Sequence, residues 1–345
     1  LLVTGCNQQA STQTASSSTS STASSEDKQL ADSSADYGSH EPIDPVAVNG
    51  AIFEGWPEPQ GALVISGEML GYLEPCGCAG LENQKGGLSR RNSLLKQLED
   101  KNWPLAKIDL GGQIRRYGTQ AGIKFDTALK GLRIMDYGAV GFGSTDLQLP
   151  SERLLGLVID EENPFVAANV GFNPENDLFA GIDFAPPFRI VECGNQKIGV
   201  TSVLGESYQQ KTNNPDLQFT PAAEALETVL PELQNQDCDQ IVVLSYSTPE
   251  ESEALALAFP EQVDWIVTAG GADEPPAEPK TIEGSKAKLV EVGHKGMYLA
   301  VIGFYDDEEM PIRFQRVPLD SRFPNSDAMY ELMVEYQNNL ELAGF

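Results

Sequence analysis

Residues 61–71 read Gly-Ala-Leu-Val-Ile-Ser-Gly-Glu-Met-Leu-Gly, an apolar run that passes directly into a glycine-rich turn. The run at 62–66 is short and continuous, which is typical of a strand buried on both faces. The same pattern of a strand followed by a turn of small and polar residues returns three times downstream. In open α/β sheets such turns meet at one edge and form the functional site. The turns expected to converge are 67–71, 111–112, 143–146 and 270–273.

Amphipathic helices alternate with these strands. Residues 86–98 place Leu88, Leu94, Leu95 and Leu98 on one side of a helix and its lead-in. Further helices are predicted at 125–135, 222–233, 250–259 and 326–340. Further strands are predicted at 105–110, 139–142, 165–169, 188–193, 197–201, 240–245, 265–268, 299–305 and 312–317. This alternation, with antiparallel pieces late in the chain, predicts a layered α/β fold in which helices flank mixed β-sheets.

The first part of the chain has a different composition. Residues 8–25 are nearly all Ser, Thr, Ala and Gln, and they bury too little apolar surface to offset the entropy of ordering. Just before them, Leu2-Val3-Thr4-Gly5-Cys6 resembles a bacterial lipobox. We expect 1–5 to be the remnant of a lipoprotein signal peptide, 6–58 to be a lipidated, Ser/Thr-rich disordered tether, and 59–345 to be the folded domain.

Lipid on Cys6 would anchor an exported protein in the bacterial cell envelope. Asn7 follows the cysteine, and the absence of Asp at that place favours the outer membrane over the inner one. The alternative for Cys6 is a buried structural cysteine. No run approaches the ~18 apolar residues of a spanning helix, so the lipid is the expected contact with the membrane.

The charge balance restricts the partners. The chain has 51 acidic and 23 basic side chains and a formal net charge of −28. Nucleic acid is excluded as a partner, because phosphate binding requires clustered Lys and Arg. The acidic surface is either simply solvated or meets a basic protein, such as a cationic cytochrome.

The order and spacing of several pieces resemble the 5′-nucleotidase branch of the calcineurin-like metallophosphoesterases, over roughly residues 61–305. The resemblance implies a sandwich of mixed sheets flanked by helices, with a dinuclear metal centre that activates water against a phosphate ester. The pieces are Gly86-Gly87-Leu88-Ser89-Arg90, Ile108-Asp109-Leu110-Gly111, Tyr137-Gly138-Ala139-Val140, Ala167-Ala168-Asn169-Val170 and Val263-Asp264-Trp265-Ile266-Val267.

The metal ligands that this resemblance implies are missing. Histidine, aspartate and asparagine ligands are expected in the turns, but most of these positions hold residues that cannot serve. Only two histidines occur in the whole chain, His40 in the predicted tether and His294 in a late loop. We therefore expect the chain to have the fold of this family but to lack its ordinary phosphoesterase activity. The replacements are Leu70, Gly112, Ser144-Thr145, Tyr246 and the histidine-free turn 270–273.

A Pro75-Cys76-Gly77-Cys78 insert lies between the first strand and the helix at 86–98, and it resembles the insert of a bacterial subgroup of these proteins. Thiols at i and i+2 can chelate a soft metal, form an easily reduced disulfide, or pair with distant cysteines. All three alternatives stay open. Haem c attachment is not expected, because no Cys-x-x-Cys-His occurs. Cys193 and Cys238 lie at strand edges and are a candidate disulfide.

Four carboxylates lie at or beside the converging turns and could retain a hard divalent cation such as calcium or magnesium. The alternative is that they form turns and cap helices. The four are Glu68, Asp109, Asp146 and Asp273.

Three basic residues are further candidates. Arg90 and Arg91 open a helix near the same turns, where they could hold an anion or pair with an acid. His294 is either a ligand or an ordinary loop histidine.

Three functions are consistent with these sequence features. The first is a non-catalytic lipoprotein that serves as a binding or redox-partner module, with the Cys76/Cys78 loop at its working face. The second is a divergent metal-dependent phosphoesterase of the 5′-nucleotidase family. The third is a structural envelope lipoprotein. Loss of the histidine ligands disfavours the second, and the cysteine insert favours the first over the third.

Overall fold

The computed structural model describes residues 44–77, 83–160 and 162–345. The α/β fold predicted from the alternating pattern is confirmed. The helices are α1 (Pro45–Asn49), α2 (Leu88–Glu99), α3 (Thr119–Ile134), α4 (Ser151–Val158), α5 (Glu206–Gln209), α6 (Ala222–Gln234), α7 (Pro249–Ala258) and α8 (Asp327–Leu342). The strands are β1 (Gly61–Ser66), β2 (Leu105–Asp109), β3 (Ala139–Val140), β4 (Val170–Phe172), β5 (Phe188–Cys193), β6 (Gln196–Leu204), β7 (Leu217–Phe219), β8 (Gln240–Tyr246), β9 (Trp265–Thr268), β10 (Lys280–Thr281), β11 (Lys288–Glu291), β12 (Tyr298–Phe304) and β13 (Ile312–Pro318).

Two mixed sheets form the body of the fold. The first has the order β13-β12-β1-β2-β3, in which β1, β2 and β3 are parallel and β12 runs antiparallel to β1. The second has the order β10-β11-β9-β8-β6-β5, and its four inner strands are parallel. A parallel sheet buries both faces, and every residue of β1 is buried accordingly. The C-terminal ends of these parallel strands carry the turns discussed below.

Hydrophobic side chains of the second sheet divide between two cores. Ile198 and Val200 of β6 join the large core that also contains β1 and β2. Val203 of the same strand joins a smaller core with helix α6, on the opposite face of the sheet. Strand residues alternate between faces, so this division follows from the sequence of β6. Helix α8 packs against α2 and α3.

The structure differs from the predicted strand at 165–169. Phe165 makes only an isolated bridge to Val140, and the regular strand β4 begins at Val170. The backbone amides of residues 166–168 donate in turn to the carbonyls of Val140, Pro186 and Ser202, so the segment changes its partner along its length. A regular ladder needs successive bonds to one neighbouring strand, so no strand forms over this segment.

Regular structure begins before residue 59, where the sequence predicts the start of the domain. Helix α1 begins at Pro45 with Asp44 as its N-cap, and Trp56 stacks on Trp103 at 6.0 Å between ring centroids. The Asn49 side chain also donates to Asp320 at 2.8 Å. These contacts join residues 44–58 to the rest of the folded chain. Cys6 and the rest of the predicted tether lie outside the described residues.

The predicted disulfide between Cys193 and Cys238 is wrong, and both thiols are free. Cys193 packs in the large core, close to Gly61 at the start of β1. Cys238 lies beside Gly199 on the α6 face of the second sheet. The intervening sheet separates the two thiols.

None of the helices in the described part of the chain has the length and apolar content that a membrane span requires.

Candidate functional site

The turns that follow the parallel strands meet at one edge of the fold, as predicted. The amides of Glu68 and Leu70 donate to the carbonyls of Gly111 and Gly112, each at 2.8 Å. The amide of Gly296 donates to the Glu68 carbonyl at 3.2 Å, which brings a late loop to the same place. We name this region the strand-end centre. Its residues are 67–71, 109–114, 143–146, 245–247, 270–273 and 293–296.

Asp146 joins the second turn to the third. Its carboxylate is fully buried and accepts hydrogen bonds from four backbone amides. Burial raises the pKa of Asp146 to about 6, although the four amide donors act in the opposite direction. The donors are Gly112 and Gly143 at 2.8 Å, Ile114 at 3.1 Å and Gln113 at 3.2 Å.

Asp109, at the end of β2, is paired with a buried arginine. Arg91 reaches it from the first turn of α2, with Nη1 3.3 Å from Oδ2, and 1% of Arg91 is exposed. The Ser66 hydroxyl also donates to Oδ2. The other oxygen, Oδ1, accepts from the Gln113 side chain at 2.6 Å and from the Gly111 amide at 2.9 Å. A carboxylate offers about four lone-pair directions, and all of them are used here.

Tyr246 fills the middle of the strand-end centre. Its ring lies 3.0 Å from the place where a Cβ on Gly112 would stand, and 2.9 Å from the corresponding place on Gly143. Its hydroxyl donates to Glu68 Oε1 at 3.4 Å. Burial raises the pKa of Tyr246 well above its usual value, and the nearby Glu68 carboxylate acts in the same direction. The side chain is therefore a neutral donor.

His294 bridges two carboxylates at the mouth of the centre. Its Nε2 lies 3.2 Å from Glu68 Oε2, and its Nδ1 lies 2.6 Å from Asp273 Oδ1. The hydrogen bond to Glu68 raises the pKa of His294 most, and Asp273 adds to it, so that the pKa reaches about 9 although burial opposes the shift. His294 is an imidazolium at neutral pH.

The cation site predicted from Glu68, Asp109, Asp146 and Asp273 is not formed. Asp109 is bound to Arg91, Asp146 to backbone amides, and the other two to His294. Within residues 44–77, 83–160 and 162–345, no group of three or more His, Cys, Asp or Glu side chains could hold a metal ion. The dinuclear centre implied by the resemblance does not fit either, because Asp109 and Asp146 each accept four hydrogen bonds already and the Tyr246 ring lies between the turns.

Arg90 and Arg91, the predicted anion contacts, both bind other parts of the protein. Arg91 takes the alternative role and pairs with the acid Asp109. The Arg90 guanidinium donates to the backbone carbonyls of Gln84 and Leu319, so it fastens two segments of chain together.

Cys76 lies next to the strand-end centre, but the geometry excludes some of its predicted partners. Its thiol is free and buried, and Cys78 falls outside the described residues. Cys193 lies against Gly61, at the far end of β1 from the converging turns, so it cannot complete a metal site with Cys76. Soft-metal or redox use of Cys76 and Cys78 stays a prediction.

The sequence patterns do not reveal two features of this region. Gln113 and Ser66 complete the hydrogen bonds of Asp109, yet neither has a sequence signature beyond its place at a strand end. Arg115 and Arg116 line a cavity beside the centre. Two adjacent arginines are unusual in a chain with more than twice as many acidic as basic side chains, and this pattern could have identified the cavity from the sequence.

The architecture is similar to that of several phosphoesterases of known structure. The fold is that of the calcineurin-like phosphoesterases, including 5′-nucleotidases, which confirms the predicted fold. Three solved structures illustrate it. The sulfate thiohydrolase SoxB of Thermus thermophilus is 14% identical with a TM-score of 0.66, covering 82% of this chain and 61% of that one. A 5′-nucleotidase precursor of the same species is 17% identical with a TM-score of 0.64, covering 82% and 59%. The calcineurin-like phosphoesterase YfkN of Bacillus subtilis is 16% identical with a TM-score of 0.60, covering 83% and 99%.

Comparison of sequences, in contrast with comparison of structures, matches only part of the chain. No family model matches the chain. An apyrase of Aedes aegypti is 27% identical over 169 residues, which is 44% of this chain and 30% of the apyrase. The chain therefore matches less than a third of that relative, and spans about 60% of the SoxB and 5′-nucleotidase chains.

Replacing Arg91 tests whether a protein cation holds the centre together. We expect Arg91→Leu to lower the free energy of unfolding by about 3–5 kcal/mol, because it leaves Asp109 charged and buried without its partner. Urea denaturation measures the loss. The double variant Arg91→Leu/Asp109→Asn should regain at least ~1 kcal/mol of the lost free energy of unfolding, since no uncompensated charge remains. The control Arg153→Leu breaks a half-exposed pair with Asp126 and should cost about 1 kcal/mol or less. Equal losses for Arg91→Leu and the control would contradict this role.

Stability should depend on pH through His294. The pKa of His294 is about 9 in the folded protein against an ordinary value of 6.5, so its charge stabilises folding fully below pH 6.5. This contribution is lost as pH rises through 9. Urea unfolding at pH 6 and pH 9.5 should therefore show a smaller loss of stability for His294→Gln than for the wild type. His40→Gln removes the only other histidine and should behave like the wild type. Parallel pH profiles of wild type and His294→Gln would refute the assignment.

Proposed function

We propose that this chain is a non-catalytic binding module of the cell envelope, built on a phosphoesterase fold and attached to a membrane through Cys6. The observation that carries the proposal is the pairing of the central acids with the protein's own cations. Arg91 is bound to Asp109 and His294 to Glu68, 3.3 Å and 3.2 Å apart.

The chemistry of these carboxylates supports the loss of metal-dependent catalysis. A divalent ion needs ligand oxygens with free lone pairs. Asp109 already accepts four hydrogen bonds, and Asp146 accepts four from backbone amides. A metal ion would have to displace these donors, and the displaced Arg91 would then be a buried, unpaired charge.

The surroundings of the centre favour a protein partner. The loop before Cys76 packs on the start of α2, since the Leu88 amide donates to the Leu73 carbonyl at 2.9 Å. Gly86 in turn lies against the backbone of Lys295 and Gly296. The loop that leads to the predicted Cys76/Cys78 pair therefore adjoins the strand-end centre. A chain with a net charge of −28 attracts cationic proteins, and we propose a basic redox protein such as a cytochrome as the partner.

A divergent phosphoesterase is the second candidate. The similarity to an apyrase over 169 residues favours it, as do the enzymes among the proteins of similar fold. This candidate requires that Arg91 or His294 move away from its carboxylate when a metal ion or substrate arrives. Enzyme assays therefore discriminate between the two candidates.

We expect no turnover of p-nitrophenyl phosphate or AMP by the purified full-length chain in the presence of Mn²⁺, and no metal ion retained after gel filtration. The measurements are phosphate release and elemental analysis. Asp109→Asn keeps the shape of the side chain but leaves Arg91 without its carboxylate, so it serves as the control for contaminating phosphatase once circular dichroism shows that the variant is folded. A rate above background that Asp109→Asn abolishes would establish the hydrolase instead, whereas a rate unaffected by this variant comes from a contaminant.

The lipid anchor is tested separately on the protein expressed with its native leader in a Gram-negative host. We expect the wild type to partition into Triton X-114 and Cys6→Ser to remain in the aqueous phase, because acylation of Cys6 supplies the proposed apolar anchor. Mass spectrometry of the N-terminal peptide should show a diacylglyceryl cysteine. Aqueous partitioning of the wild type would overturn the anchor and leave the proposed loss of catalysis untouched.

A further inference from the structure

A basic cavity of about 480 Å³ lies beside the strand-end centre. Leu70 and Gly71 of the first turn form one wall, and Ile114 of the second turn forms another. Arg115, Arg116 and Lys124 contribute positive charge. The described residues that line the cavity include no carboxylate, in a chain whose net charge is −28.

The two arginines of this cavity have no partner in the described part of the protein. Arg115 and Arg116 are exposed and form no hydrogen bond or ion pair with any described residue. The other long cation, Lys124, donates to the Gly71 carbonyl at 3.2 Å, which fixes its ammonium group at the cavity wall. Adjacent like charges repel each other. Since acids outnumber bases twofold in this chain, two neighbouring arginines without an acid are a local exception that an anionic ligand would explain.

The helix that begins at this cavity adds to the positive potential. Helix α3 is 16 residues long and starts at Thr119 after Gly118, with no side-chain cap on its first turn. Gln120 and Ala121 of that turn line the cavity. Uncapped amides and the helix dipole both favour a negative group at this position. Three side-chain cations and the N-terminus of α3 thus all contribute positive potential to the same cavity.

We infer that this cavity binds a small multivalent oxyanion, with phosphate or carboxylate groups that span the two arginines. The guanidinium fork matches both kinds of group in a bidentate geometry. The volume is within the usual range for small-molecule sites, and the acidity of the remaining chain disfavours nucleic acid. The site involves none of the residues of the central ion pairs, so it goes beyond the proposed function and does not depend on it.

Isothermal titration calorimetry of the full chain with sodium pyrophosphate and with citrate, in buffers freed of divalent metal ions on a chelating resin, tests this site. We expect at least one of the two probes to bind, with an affinity that falls as salt is raised. Arg115→Gln/Arg116→Gln should weaken binding at least tenfold. Both side chains are exposed and have no partner among the described residues, so the variant should unfold at the temperature of the wild type. The stronger of the two probes identifies phosphate or carboxylate as the preferred group.

The matched control is Lys96→Gln/Lys101→Gln, which removes two positive charges near the C-terminal end of α2. Its affinity should stay within twofold of the wild type. Absence of binding of both probes at millimolar concentration would overturn the inference, as would equal affinities of the arginine variant and the wild type. An equal loss in the control would also overturn it, because net charge alone would then account for binding. Hydrolysis of pyrophosphate in a parallel assay with Mn²⁺ would instead contradict the proposed function, without bearing on these arginines.

Discussion

Carboxylates enclosed at the C-terminal ends of parallel strands must be paired or fully hydrogen-bonded, because an isolated buried charge costs several kcal/mol. Two such groups, Asp109 and Asp146, lie at the centre of this fold and are fully buried. Asp109 is neutralised by Arg91, and Asp146 by four amide dipoles. Since the donors to Asp146 belong to two different turns, its solvation also fixes the geometry of the strand-end centre.

The close approach of these turns requires glycine. Gly111 and Gly112 both have positive φ angles, 101° and 76°, and a side chain at Gly112 would meet the Tyr246 ring. The absence of a side chain at this place therefore has two effects. It frees the amides of residues 112–114 to surround Asp146, and it leaves a space of the size of a phenol ring. Tyr246 occupies that space and delivers its hydroxyl to Glu68. The polar and steric features of the centre thus depend on each other.

Much of the scaffold follows from the sequence, whereas the pairing at its centre does not. The apolar runs at β1, β2 and β8 predict buried parallel strands because their pattern is local, and the glycine turns after them predict the convergence. The pairing of Arg91 with Asp109 depends on how α2 sits against β2, a contact between segments 18 residues apart. For the same reason the sequence could not distinguish a cation site from a set of saturated acids. The strand prediction at 165–169 fails because the backbone of this segment bonds in turn to Val140, Pro186 and Ser202, partners that its local sequence does not indicate.

The distribution of charge connects the centre with its surroundings. Arg91 and His294 are bound to acids at the centre, whereas the neighbouring Arg115 and Arg116 have no acidic partner among the described residues. Positive charge inside the centre is therefore balanced locally, and positive charge in the adjoining cavity is not balanced by any described side chain. An anion that enters this region meets no competing carboxylate among the described lining residues, while Glu68 and Asp273 are held by His294. The pairing of Glu68 and Asp273 with His294 thus also reduces the negative charge that would oppose an anion in the cavity.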